Sequence, residues 1–206
     1  MIADREERAR GMRRLVACLR IECEYVAAFL GLLKSAAERG RWNHGVEQHA
    51  AYAARESALR GARSGESMPA EAKEMAAADP ESAAEFLRLL ETLHAYDEDA
   101  RRREAEASRT CNAARTAAEA AEAAYFEAAR ARREAPRAHR SALAAAEREL
   151  GYASSRANGA SQNAHCVWLA AHACLSASRG ACSGYDGWGG KLRASSASDA
   201  SGRVVA

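Results

Sequence analysis

The chain has 206 residues and a formal net charge of +2, room for one domain with a tail and no electrostatic reason for a nucleic-acid partner. About a quarter of the residues are alanine, so the 48% hydrophobic content overstates the core, because alanine favours helix strongly but buries little area. No apolar run approaches the roughly 20 residues of a membrane span, and the opening Met-Ile-Ala-Asp-Arg-Glu-Glu-Arg is too charged for a signal peptide.

These features predict an intracellular protein, cytoplasmic or peripheral to a membrane, with its six cysteines reduced. With only three prolines (Pro69, Pro80, Pro136), helices can run long. The predicted fold is all-α: long antiparallel helices in a coiled-coil-like bundle, with a flexible C-terminal tail.

A first helix is predicted from about Asp4 to about Arg39. Met12, Val16, Leu19, Cys23, Val26, Leu30 and Leu33 fall at spacings of four and three, a heptad packing seam. Leu15, Phe29 and Leu32 widen the stripe. Arg5, Arg8, Arg10, Arg13 and Arg14 are interleaved with Asp4, Glu6 and Glu7, the pattern of pairing along a helix surface rather than of a nucleic-acid contact. Gly40 supplies a stop, residues 40–45 read as a loop, and a weaker helix follows over about 46–63. Residues 61–69 read as loop and residues 70–78 as a short helix.

Asp79-Pro80-Glu81 is a helix start, with an Asp cap, proline at the first position and glutamate in the first turn. From it a seam runs through Phe86, Leu87, Leu90 and Leu93. It thins to Ala100, Ala107, Cys111, Ala114, Ala118, Ala121, Tyr125 and Ala128. No breaker precedes Pro136, which makes this helix about 80 Å long at ~1.5 Å per residue. A second seam follows: His139, Leu143, Ala146, Leu150, Ala153, Ala157, Ala160, Ala164, Val167, Ala171 and Cys174. Asn158-Gly159 marks a kink or break within it. Two long helices meeting at Pro136 suggest an antiparallel hairpin, with one continuous kinked helix as the competing geometry. The domain is assigned to residues 1–179, and the Gly/Ser-rich residues 180–206 to the tail, with Tyr185 and Trp188 as anchors.

Candidate chemistry is sparse. His165, Cys166, His172, Cys174 and Cys182 invite a metal or cofactor bundle, but same-face residues seven or eight apart lie roughly 10–12 Å from each other, too far for one zinc. Glu91 and His94 form one Glu-x-x-His, where a di-iron bundle uses two. His44 and His49 have no companion motif. No phosphate loop, nucleophile elbow or dinucleotide fingerprint occurs, so no catalytic residue, metal or cofactor is assigned. Charge is segregated: seven carboxylates lie between Asp79 and Asp99, followed by Arg101, Arg102 and Arg103. Arg130, Arg132, Arg133, Arg137 and Arg140 gather around the hairpin tip against Glu134 alone. These five are either a solvated helix end or a contact for anionic lipid headgroups or an acidic partner.

The run Arg20-Ile21-Glu22-Cys23-Glu24-Tyr25, continuing through Leu30 and Leu33 to Lys34, resembles the opening helix of F-BAR domains. It departs from that pattern in having Val26 where alanine is usual and in its leucine spacing. Residues 111–125 and 145–158 are similar to the Ala/Glu-rich long helices of the same family. The resemblance implies an elongated antiparallel dimer that binds anionic, curved membranes through basic residues, without catalysis. The helical part is shorter than a full F-BAR domain, and sparse arginines replace the family's lysine stripes. Three functions are therefore carried forward. The first is a dimeric, non-enzymatic scaffold acting through basic helix tips on a membrane or protein partner. The second is a helical subunit of a larger assembly, and the third is a metal- or cofactor-holding bundle.

Overall fold

The computed structural model describes residues 2–40, 44–63 and 72–201, and within them every regular element is helical. α1 (Ile2–Arg39), α2 (His44–Arg63) and the short α3 (Ala72–Ala78) lead into α4 (Pro80–Glu134). A 3-10 turn, Arg137–His139, then joins α4 to α5 (Arg140–Ser201). None of these helices is long and apolar enough to cross a membrane.

Local signals account for most of the boundaries. α1 stops where Gly40 takes a φ of 61°, the left-handed conformation that costs glycine little. Asp79 caps α4, its Oδ1 accepting from the Ser82 N–H at 3.1 Å, with Pro80 at the first helical position. α4 ends at Glu134, where Ala135 turns extended before Pro136, the conformation favoured by a residue preceding proline. The chain then reverses, which settles the geometry at Pro136 as a hairpin. Antiparallel register is fixed by pairs that step outward from the turn. Arg132 meets Glu147, Glu104 meets Trp168, buried Ser178 donates to Asp97 at 2.7 Å, and His94 meets Asp186.

α1 lies along the half of this hairpin remote from the turn. It runs parallel to α4, with Arg13 beside Asp79, Arg20 on Glu85 and the Cys23 thiol on the Leu89 carbonyl. α2 folds back on α1, pinned by Arg39–Glu47 and Glu22–Arg55. One core cluster joins Met12, Leu15, Leu19, Val26, Phe86, Leu90 and Tyr185; a second, nearer the end of α1, joins Phe29, Leu33, Ala100, Ala171 and Cys174. Of the predicted α1 seam, Met12, Val16, Leu19, Cys23, Val26 and Leu33 are buried and Leu30 is half-buried, while Leu15 and Phe29 are buried with them.

The molecule therefore has two unlike ends. α1 finishes beside Thr110 and Asn163. Past that point α4 and α5 continue as a two-helix arm of roughly 35 Å, at ~1.5 Å per residue over residues 111–134. In the arm only Ala118 and Ser154 are buried among the described residues.

Three expectations are corrected. Residues 180–201 are not a flexible tail, because α5 runs unbroken to Ser201 across the proposed domain boundary. Ala181, Cys182, Tyr185, Trp188 and Leu192 return at helical spacing to the first core cluster, and that burial outweighs the helix cost of the intervening glycines. Asn158-Gly159 is no break either; both residues are helical. The seam of α5 is also displaced. Leu143, Leu150, Ala153, Ala157 and Ala164 face inward as expected, but Ala146 and Ala160 are exposed, and Glu147, Ser154 and Ser161 turn inward beside the seam. Glu147 points inward because Arg132 holds it across the hairpin. Among the shorter segments, Gly61, Ala62 and Arg63 belong to α2, whereas residues 41–43 and 64–71 of the predicted loops lie outside the described residues.

Candidate functional site

The hairpin tip gathers the five candidate arginines but gives them different duties. Arg130 pairs with Glu134 at 2.8 Å, one turn along α4. Arg132 reaches Glu147 at 2.8 Å and ties α4 to α5. Arg140 turns back from the start of α5: its Nε donates to the Ala135 carbonyl at 2.9 Å and its Nη2 to the Arg133 carbonyl at 3.4 Å. It thereby satisfies carbonyls that the end of α4 leaves without intrahelical partners. Arg133 and Arg137 have no carboxylate within ion-pair distance among the described residues, and both are exposed. Two of the five arginines are thus left to the solvent, while three serve the hairpin.

Beside them lies an apolar component that the charge pattern alone does not reveal. Phe126 is 57% exposed and Tyr152 61%, although large aromatic side chains are ordinarily covered. Phe126 meets Tyr125 in a tilted contact with ring centroids 5.5 Å apart. Tyr125, Phe126 and Ala129 line a cleft of about 460 Å³ with Arg132, Arg133, Arg140 and Glu147. An aromatic wall under guanidinium groups suits an interface that is apolar on one side and anionic on the other.

The remaining candidates do not converge. His165 and His172 flank Trp168, with ring centroids 5.5 and 5.7 Å from the indole. The Trp168 indole N–H donates to Glu104 at 3.1 Å, and His172 Nδ1 lies 3.8 Å from the same carboxylate oxygen. Cys166 is half-buried, while Cys174 is fully buried in the second core cluster and cannot join the two histidines. Among the described residues no group of three His, Cys, Asp or Glu is arranged to hold a metal. His94 bonds Asp186 at 2.7 Å rather than Glu91. The acidic face of α4 is met by arginines: Arg13, Arg20, Arg101, Arg102 and Arg103 take Asp79, Glu85, Asp97 and Asp99. His49 is exposed, and the side chain of His44 lies outside the described residues.

None of the six cysteines is in a disulfide. Burial pushes Cys174 up to about 12, and Cys23 and Cys182 up to about 11. Carboxylates add to the effect: Glu22 and Glu24 beside Cys23, and Asp97 near both Cys174 and Cys182. None of these three thiols is a nucleophile at neutral pH.

Comparison of the chain with protein-family models, with curated proteins and with solved structures gives no match.

Proposed function

We propose that this chain is a non-enzymatic helical scaffold whose arm docks by its tip on an anionic membrane surface, and that it works as a dimer. The reading rests on one observation: exposed Phe126 and Tyr152 stand at the same end of the molecule as Arg133 and Arg137, which no described carboxylate neutralises. Rings at headgroup level and arginines on lipid phosphates are complementary parts of such a contact. The two-helix arm supports the reading by carrying this end clear of the five helices packed at the base. The dimeric part rests on the F-BAR-like resemblance of residues 20–34 alone, since the apolar seam of that run packs inside the chain's own core.

The test is vesicle co-sedimentation with the native chain, an Arg133→Gln/Arg137→Gln variant and an Arg5→Gln/Arg10→Gln variant of equal charge loss at the other end. The proposal expects the tip variant alone to lose binding, by about tenfold or more if each lipid contact contributes ~1 kcal/mol. Equal loss in both variants would show a response to net charge only. Light scattering must give twice the chain mass, and a monomer contradicts the dimeric part.

A further inference from the structure

The cleft of about 460 Å³ at the tip has an apolar wall of Tyr125, Phe126 and Ala129 and a charged wall drawn from both helices of the arm. The ionised side chains of that charged wall are not equivalent. Arg132 and Glu147 neutralise each other across the hairpin at 2.8 Å. Arg133 meets no carboxylate among the described residues. Arg140 bonds only neutral carbonyls among them, that of Ala135 through Nε at 2.9 Å and that of Arg133 through Nη2 at 3.4 Å. Its charge is therefore uncompensated, and three of its five N–H groups remain for a ligand.

The helix ends do not supply the missing negative charge. α4 brings its C-terminus to the tip and α5 its N-terminus, so half-charges of about −0.5 and +0.5 offset one another there. The cleft is left with two guanidinium charges in excess, both on exposed arginines. A phosphodiester headgroup carries a single negative charge on its phosphate. In phosphatidylcholine and phosphatidylserine it also bears an ammonium group, which these guanidiniums would repel. A phosphomonoester offers up to two negative charges, three acceptor oxygens and no cation.

We propose that the tip cleft is a seat for the terminal phosphomonoester of a membrane lipid, its oxygens on Arg133 and Arg140 and its glycerol carbons against Phe126. The proposal rests on the docking reading above and adds a headgroup preference to it. Arg133 ends α4 and Arg140 begins α5, so one phosphate on both also clamps the two sides of the hairpin together.

Flotation of the whole chain tests it with two vesicle types matched in electrophoretic mobility. One carries phosphatidic acid, which ends in a phosphomonoester, and the other phosphatidylserine, each in phosphatidylcholine. The expected result is half-saturation at about tenfold less lipid on phosphatidic acid, as one further charge-assisted pair implies. Ala129→Phe, which fills the cleft without changing its charge, should erase that preference, and so should Arg133→Gln, a change at an exposed position. Equal binding to the two vesicle types overturns the seat but leaves the docking reading standing, whereas binding to neither overturns both. A preference undiminished in Arg133→Gln places recognition elsewhere and overturns the seat. Saturable heat with glycerol 3-phosphate in solution, together with equal flotation on the two vesicle types, would give the cleft to a soluble phosphomonoester and overturn the lipid assignment.

Discussion

Glu22 sits in the core face of α1 and would be the costliest residue in the base if it stood alone. Arg55 neutralises it in a two-pronged bond, and Glu22 in turn raises the Arg55 pKa by that hydrogen bond. Removing one partner of such a pair leaves a buried charge. Arg55→Ala should therefore lower unfolding free energy by about 3 kcal/mol, whereas replacing both residues by leucine should cost far less. Urea titration followed by circular dichroism distinguishes the two; equal costs would mean that Glu22 finds water without Arg55.

The thiols make a second prediction at this scale. Their folded-state pKa values lie above the ordinary 9.0, so well below pH 9 both states hold the proton and their contribution is fully present. Between pH 9 and about 11 the unfolded chain releases thiol protons that the native fold retains, and stability falls as pH rises. The slope between pH 9 and 10.5 in thermal unfolding should flatten in Cys174→Ala relative to the native chain. At pH 8, iodoacetamide should label half-buried Cys111 and Cys166 first and leave Cys23, Cys174 and Cys182 until unfolding.

Among the elements, α5 is the one whose behaviour turns most on packing. Gly189 is buried where α5 crosses α4, and a Cβ there would sit on the Leu90 side chain, itself 1% exposed. Gly189→Ala should cost about 1–3 kcal/mol through overpacking, less the ~1 kcal/mol that alanine returns in helix propensity. Gly159→Ala meets nothing within 4 Å and should stabilise by about 0.5–1 kcal/mol. Melting of the two single variants gives opposite signs if α5 is packed as described. The capping of α4 is a simpler case, and Asp79→Ala should lose about 1 kcal/mol.

The elements also show what could be read in advance. Asp79-Pro80, Gly40 and Pro136 act through their own backbone preferences, so the boundaries they set were visible in the sequence. The C-terminal stretch of α5 was not, because five glycines between residues 180 and 190 mask the helical spacing of Ala181, Cys182, Tyr185 and Trp188. Its helix depends on a core supplied by α1 and α4. The inward phase of Glu147, Ser154 and Ser161 was hidden for a related reason, since a hydrophobic pattern assigns polar residues outward unless their partners are known. At the candidate site the arginines were legible as a cluster. Which of them are occupied was not, because Arg132–Glu147 spans the turn and Arg140 bonds carbonyls. The buried Glu22–Arg55 pair was invisible for the same reason, since it joins two helices.

As a whole, the molecule combines a base whose core is built from large side chains with an arm whose seam is mostly small ones. An alanine seam excludes little apolar area from water, so the arm should be the less stable part. Hydrogen exchange should show residues 111–162 opening at lower free energy than the helices around Phe86 and Leu90. A contact at the tip would order that arm, which makes exchange a reporter of docking as well as of stability. The central claim, that the tip docks on an anionic membrane, is tested most directly by flotation of the native chain with vesicles. One set would contain a neutral phosphatidylcholine alone, the other the same lipid with a third phosphatidylserine, each at low and high salt. The account predicts that the chain floats only with the anionic vesicles, that salt releases it, and that residues 111–162 exchange more slowly when bound. A chain that stays at the bottom of the gradient with both vesicle types, or floats equally with both whatever the salt, would contradict it.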